Sequence, residues 1–391
     1  MKICAVVSEF NVFHNGHAYL LRQLRLKGFT HIITVMSGNF VQRGEAAIVS
    51  KAARAKMALK GGCDLVVELP TVNVLAGAEK YAFGAMSLIK HIGCVDAIAF
   101  GSESGDLKQL ILIKEAMKSP EFGELLKAEL DKGVTFYAAR EKALLEILKD
   151  EKVSKEIKTP NNILGIEYLK AIDALKLDIK VLTIKRLSDL KLYSSASRVR
   201  EMILKNQPDY KTYIPEASYQ CMRSELDNQA APVEFFSNDK VILSKLRRMN
   251  LSEFEILPDI SEGLEHRVFK SVGKSSSLND LLFDIKTKRY PLSRIRRIIA
   301  CAFLGIDSKV SKLSTPYIRV LASNAKGFEI LRKMKKTATL PIITRYNDIL
   351  NQDVATKNFF ELESKFTDLY NTLTPKILPC GLEKTFKLIK D

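Results

Sequence analysis

Two histidines bracket a glycine in the segment Ser8-Glu9-Phe10-Asn11-Val12-Phe13-His14-Asn15-Gly16-His17. Only five histidines occur in the chain, so two within one tight turn point to a shared chemical task. Imidazole N–H groups can hold phosphate oxygens as negative charge shifts between them in a transition state. Gly16 lets a ligand approach the backbone with no Cβ in the way. No Walker A sequence occurs, so bound phosphates would need a device of this kind. Two other readings stay open for the pair: metal ligation, and inert capping of a helix.

The elements that must position this turn are legible around it. Nearly continuous apolar runs at Ile3–Val7, Ile32–Met36, Leu65–Glu68, Ala97–Phe100 and Val181–Ile184 predict parallel strands covered on both faces. Amphipathic stretches at Gly16–Lys27, Ser50–Lys60 and Ala76–His91 lie between them. This alternation predicts an α/β fold with a Rossmann-like, doubly wound parallel sheet. The histidine turn then sits between the first strand and the first helix, where such sheets open a ligand crevice and where helix amides and dipole favour phosphate. From about Asp106 to Lys158 the chain reads as charged helices, either flanking the sheet or forming a separate insert. After about Lys205 the β-rich runs fade. Helical patterns follow at Asn238–Met249, Leu278–Lys286, Ser293–Leu304 and Lys357–Tyr370, punctuated by prolines. We therefore expect a catalytic domain over residues 1–205 and a mostly helical domain over 206–391.

The 391 residues carry 61 Lys and Arg against 45 Asp and Glu, a formal net charge of +16. That excess favours a polyanionic partner, because cations on phosphates release counterions. Charge alone does not separate RNA from DNA or from an acidic membrane surface. Lys286, Lys288, Arg289, Arg294, Arg296 and Arg297 form one cluster, with Tyr290 embedded as a candidate for stacking on an unpaired base. Lys245, Arg247 and Arg248 form a second, and Arg332, Lys333, Lys335 and Lys336 a third. Any one of them could be a solvated helix face, but three in one mostly helical half favour RNA. The six cysteines are scattered without metal-site or redox spacing, and read as free thiols in a reducing cytosol. No segment reads as a signal peptide or membrane span, so a cytoplasmic location is expected, with no membrane and no obligate protein partner.

Several motifs in order along the chain resemble one known family. They are Val7–Leu20, Met36–Glu45, Ser50–Lys51 with Arg54, Asp64–Pro70, Phe100–Glu103, Pro160–Gly165, Glu262–Arg267 and Lys286–Tyr290. Together they resemble the bacterial tRNA(Met) cytidine acetate ligases, members of the HxGH nucleotidyltransferase superfamily. Val12 stands where that family usually carries Pro, and Phe10 where Tyr is usual. The resemblance implies an ATP-using ligase. It would activate acetate as acetyl-adenylate with release of pyrophosphate, then acetylate N4 of the wobble cytidine of elongator tRNA(Met).

The resemblance also implies site residues. His14 and His17 would be catalytic. ATP contacts carry over to Val7, Ser8, Glu9, Phe10, Asn11, Val12, Phe13, His14, Asn15, Gly16, His17, Ala18, Tyr19 and Leu20, and to Gly101, Asn162, Arg186 and Leu187. Three of the latter have a plainer reading: a turn glycine for Gly101, a helix cap for Asn162, a surface charge for Arg186. Ser194–Arg200 resembles the second superfamily signature, with Ser197 and Arg200 set to hold phosphates, or else a plain serine cap. Ser37, Gly38, Gln42 and Arg43 follow the second strand and could shape an acid pocket or meet RNA; Ser37-Gly38 could also be only a turn. Mg²⁺ bridging the phosphates is expected, with no protein metal site. No residue stands out as a general base for the acetyl transfer. A small-molecule adenylyltransferase acting on a cofactor precursor, and a non-catalytic RNA-binding protein, are the rival readings.

Overall fold

The apolar runs become strands because each can be buried on both sides. The computed structural model describes residues 1–187 and 194–391. Strands β1 (Ile3–Ser8), β2 (His31–Ser37), β3 (Leu65–Leu69), β4 (Ala97–Ser102) and β5 (Lys180–Lys185) cover all five predicted runs. They alternate with α1 (Asn15–Leu26), α2 (Lys51–Lys60), α3 (Ala78–Ile92) and α4 (Pro160–Ala174). Neighbours run parallel in the order β3-β2-β1-β4-β5. Successive side chains of β1 feed opposite layers: Ile3, Ala5 and Val7 one core, Cys4 and Val6 the other. The winding reverses between β1 and β4, which opens a crevice at their carboxyl ends.

Between β4 and α4, helices at Leu107–Ala116, Pro120–Asp131 and Phe136–Leu148 decide the question left open for residues 106–158. Their Leu110, Ile113, Phe122 and Leu144 join the same core as one face of the sheet, so this segment flanks the sheet.

Beyond α5 (Ala196–Leu204) come α6 (Asp239–Arg247), α7 (Leu264–Lys274), α8 (Leu278–Ile285) and α9 (Leu292–Leu304), packed around a core that includes Leu246, Leu264, Leu281 and Ile295. The expectation of a mostly helical second half holds, with one addition. The second half is not free of strands: β6 (Ile318–Ser323) pairs antiparallel with β3 and extends the sheet. After α10 (Ala325–Thr337) and α11 (Val354–Asn371), β7 (Ile389–Lys390) adds to the outer edge of β6. Residues 206–391 thus share the sheet of the first half.

β6 escaped notice because Arg319 interrupts its apolar run. Arg319 is nonetheless 3% exposed, lying against the Phe360 and Phe386 rings and 3.7 Å from Glu383. A charge can occupy a buried strand when it is paired and stacked. Five cysteines are buried, Cys380 is exposed, and all are free. Among the described residues no helix is long and apolar enough to cross a membrane.

Candidate functional site

The chain leaves β1 at Ser8 and enters α1 through a compact loop. Phe10, Val12 and Phe13 are buried and anchor this loop, Phe13 packing under Gly61, where a Cβ would come within 2.2 Å of its ring. Arg54 secures the loop from beneath. Fully buried, it donates to the carbonyls of Glu9 (2.7 Å), Ser37 (3.0 Å), Val49 (3.1 Å) and Gly38, tying the ends of β1 and β2 together.

His14 is the N-cap of α1. Its Nδ1 accepts from the Gly16 amide at 3.0 Å, and Nδ1 of His17 accepts from the His14 amide at 3.2 Å. The two rings stack with centroids 3.7 Å apart. The capping reading is therefore correct as far as it goes. Because each Nδ1 accepts, each neutral ring carries its proton on Nε2, the form that donates to a ligand. Burial, then the nearby Arg186 and Arg200, push the His14 pKa down to about 3. Burial, His14 and Arg186 likewise hold His17 well below its ordinary value. Both imidazoles are neutral donors at ordinary pH. One expectation is revised: the amides of Gly16, His17 and Ala18 all donate to His14, so the imidazoles, not these amides, present donors here.

His14 and His17 line a cavity of about 370 Å³ at the carboxyl ends of β1 and β4. Val7, Ser8, Glu9, Phe10, Asn11, Gly101 and Arg186 share its wall, with Gln42, Arg43, Ser197 and Arg200. A smaller lobe of about 110 Å³ adjoins it through Val7, Ser8, His14, His17, Gly101 and Arg186, and adds Gly16, Tyr19, Leu20 and Leu187. Thus residues far apart in sequence converge on one cleft. Gly101 lies beside Arg186, whose Cγ would be in ordinary contact, 3.4 Å away, with a Cβ placed there. At the start of α5, Ser195 caps the helix by accepting from the Arg198 amide, while Ser197 lines the cleft. Arg200 is fixed by the Asn11 carbonyl at 2.7 Å and by Ser197 at 3.3 Å. Burial pushes the Glu9 carboxyl up, partly offset by the Gln42 amide that it accepts at 2.9 Å.

Other expected residues lie elsewhere. Asn162 is 1% exposed behind the wall, accepting from Ser102 at 2.7 Å and donating to Glu156 at 2.5 Å; its neighbour Asn161 lines the cleft instead. Ser37 and Gly38 are buried, with Gly38 against the Glu68 carboxylate, and neither borders the cavity. Val12 and Phe13 support the loop from the core, Ala18 packs against the same core, and Asn15 donates to the Thr212 carbonyl at 3.0 Å. Sequence reading missed Tyr81, Phe100, Glu103, Leu164 and Tyr168 on the inner wall. Phe100, Glu103, Asn161 and Leu164 lie within motifs already noted without being singled out, whereas the two tyrosines carried no local signal.

The basic clusters separate in space. Lys286, Lys288 and Arg289 are exposed just past the end of α8, whereas Arg296 approaches the cleft, Glu45 lying 3.5 Å from both Arg200 and Arg296. Arg294 and Arg297 are partly buried and hold Asp259, while Arg296 covers Phe236. Tyr290 does not present a stacking face. It is buried, donates to the Glu262 carbonyl at 3.1 Å and lies beneath Arg294. Lys245, Arg247 and Arg248 are exposed at the end of α6, Arg247 reaching the Ser275 carbonyl. The Arg332–Lys336 cluster rides on α10, which is held by Asp64 ahead of β3 and by Ile92 and Gly93 ahead of β4. That is the amino-terminal edge of the sheet, opposite the cleft.

Known proteins resemble this chain over its whole length. Residues 1–382 match the HIGH Nucleotidyl Transferase family. A tRNA(Met) cytidine acetate ligase of Caldanaerobacter subterraneus subsp. tengcongensis is 40% identical over 383 residues, covering 95% of each chain. One from Thermoanaerobacter sp. is 40% identical over 405 residues, covering 100% of both. Crystal structures of Thermotoga maritima TmcAL superpose over 100% of both chains. The form bound with alpha-thio ATP has a TM-score of 0.92 at 34% identity, and the apo form 0.93 at 32%. A shared fold and full-length similarity lead to one conclusion: the chain belongs to the HIGH nucleotidyl transferase family and, within it, to the tRNA(Met) cytidine acetate ligases.

Proposed function

We propose that this protein uses ATP to activate acetate and transfers the acetyl group to N4 of the wobble cytidine of elongator tRNA(Met). The observation that carries the reading is the stacked, neutral His14–His17 pair, capped through Nδ1 and lining a cleft walled by Arg43, Arg186 and Arg200. An acetate oxygen attacks the α-phosphorus and the bond to the bridging oxygen breaks, releasing pyrophosphate. Nε2–H donors and guanidinium groups accommodate charge moving onto the leaving group. Carboxylate is already a competent nucleophile, so positioning supplies most of the acceleration.

The smaller lobe, apolar at Leu20, Ile184 and Leu187, suits an adenine beside Gly101. Phe100, Leu164 and Tyr168 offer an apolar wall to the acetate methyl. Glu103 suits a hydrated Mg²⁺: it lines the cleft, one carboxylate oxygen accepts from Asn161, and the other is buried without a partner. When bound, Mg²⁺ would neutralise phosphate charge. Residues 1–205 carry the adenylation chemistry in this reading, and residues 206–391 supply the exposed cations that receive RNA.

The test is mass spectrometry of tRNA(Met) incubated with the protein, ATP and isotopically labelled acetate. A labelled acetyl group on the wobble cytidine is expected. ATP turnover with unmodified tRNA would refute the acetyl transfer.

A further inference from the structure

With Tyr290 buried, the RNA-facing half lacks the aromatic expected from sequence, yet α8 displays another. Phe283 is 86% exposed, the most exposed of the large hydrophobic side chains outside the core among the described residues. Its surroundings are polar and of mixed charge, with Asp280 and Asp284 exposed on the same helix and cations beyond its end. Lys286 and Lys288 are exposed just beyond it, and Arg289 is exposed although paired with Glu262 at 2.7 Å. Asn279, one helical turn before Phe283 and on the same face, lines a cavity of about 160 Å³ with Glu45, Phe236, Arg296 and Arg200. Arg200 also lines the histidine cleft, so one residue borders both that cleft and the cavity reached by the helix face that carries Phe283.

We propose that Phe283 is the platform on which an unpaired base of the substrate tRNA stacks, while Lys286 and Lys288 hold the adjoining phosphates. An aromatic face binds any base through its π-surface, and flanking cations fix the backbone. The assignment rests on the proposed tRNA-modifying function and adds the residue that engages the RNA. Charge favours RNA over a second basic copy of this chain, whose net charge of +16 would be repelled.

The chain contains no tryptophan, so Phe283→Trp places a single reporter at this position. Titration with tRNA(Met) transcript is expected to quench its fluorescence. Phe283→Ala is expected to raise the tRNA KM roughly ten- to a hundredfold, with Phe283→Tyr restoring it and Phe283→Leu not. Acetate-dependent ATP–pyrophosphate exchange should be unchanged in all of these variants. An unaltered tRNA KM in Phe283→Ala overturns the proposal, as does self-association of the wild type that this substitution abolishes. Absence of exchange in the wild type would instead refute the adenylation reading, and the fluorescence titration would still decide the role of Phe283.

Discussion

His14 and His17 each commit one ring nitrogen to the backbone and keep the other for a ligand, which makes the two roles separable. Asn at position 14 can still accept the Gly16 amide, because Asn is among the best N-cap residues. It has no atom equivalent to Nε2. His14→Asn is therefore expected to unfold within about 1 kcal/mol of wild type in urea, yet to lose roughly a hundred- to a thousandfold in kcat, the scale of removing one transition-state donor. A loss of stability in step with activity would return the pair to a merely structural role. The pair was legible because its residues are rare and sit at a strand-to-helix junction. The choice between Asn161 and Asn162 was not. Both fall in the first turn after Pro160, and only the phase of that helix decides which faces the cleft.

Elements carry the cleft residues into place, and one contact between elements is unusually tight. The short hairpin loop between paired residues 40–41 and 45–46 brings Gln42 and Arg43 to the cleft and rests on α9 at Gly44. There φ is +78°, and a Cβ would lie 2.3 Å from the Arg297 nitrogen and 2.5 Å from the Arg296 carbonyl carbon. Both neighbours are backbone, so neither can swing aside. Gly44→Ala is expected to lift this loop, costing about 1–3 kcal/mol in denaturant unfolding and at least tenfold in ATP kcat/KM. Wild-type kinetics in this variant would show that the loop acts independently of α9. At this scale the five parallel strands were readable because each is an unbroken apolar run. β6 was not, since Arg319 breaks the pattern and the partners that make its burial tolerable lie far along the chain.

Across the whole molecule, the two halves are joined by buried charge. Lys51 lies 2.7 Å from both Glu68 and Glu383, and Glu383 reaches Arg319 on β6. Glu363, from α11, completes the group. Burial, then the neighbouring Glu68, push its carboxyl up to about 7. A carboxyl raised in the folded state keeps a proton that the unfolded chain has released, so stability falls as pH rises from about 4.5 to about 7. Glu363→Gln removes that dependence. Relative to wild type it should gain up to about 3 kcal/mol between those limits, read by urea unfolding at a series of pH values. A constant difference across the range would mean that Glu363 is ionised throughout.

Surface charge is also a property of the whole chain, and which basic clusters share a face could not be read from their spacing. Lys286 and Lys288 follow α8, whose Asn279 shares a cavity with Arg200, whereas Lys335 and Lys336 lie on α10 at the sheet edge opposite the cleft. Replacing the first pair by Ala should flatten the salt dependence of tRNA binding by roughly one to two in log–log slope, and replacing the second pair should leave it unchanged. Equal effects from both pairs would imply contact over both edges.

The most direct measurement is ATP–pyrophosphate exchange by the purified protein, with and without acetate and in the absence of tRNA. Exchange that requires acetate and collapses in His14→Asn is the expected result. Exchange indifferent to acetate but driven by a phosphorylated metabolite would contradict the account, and would make the protein an adenylyltransferase of small molecules.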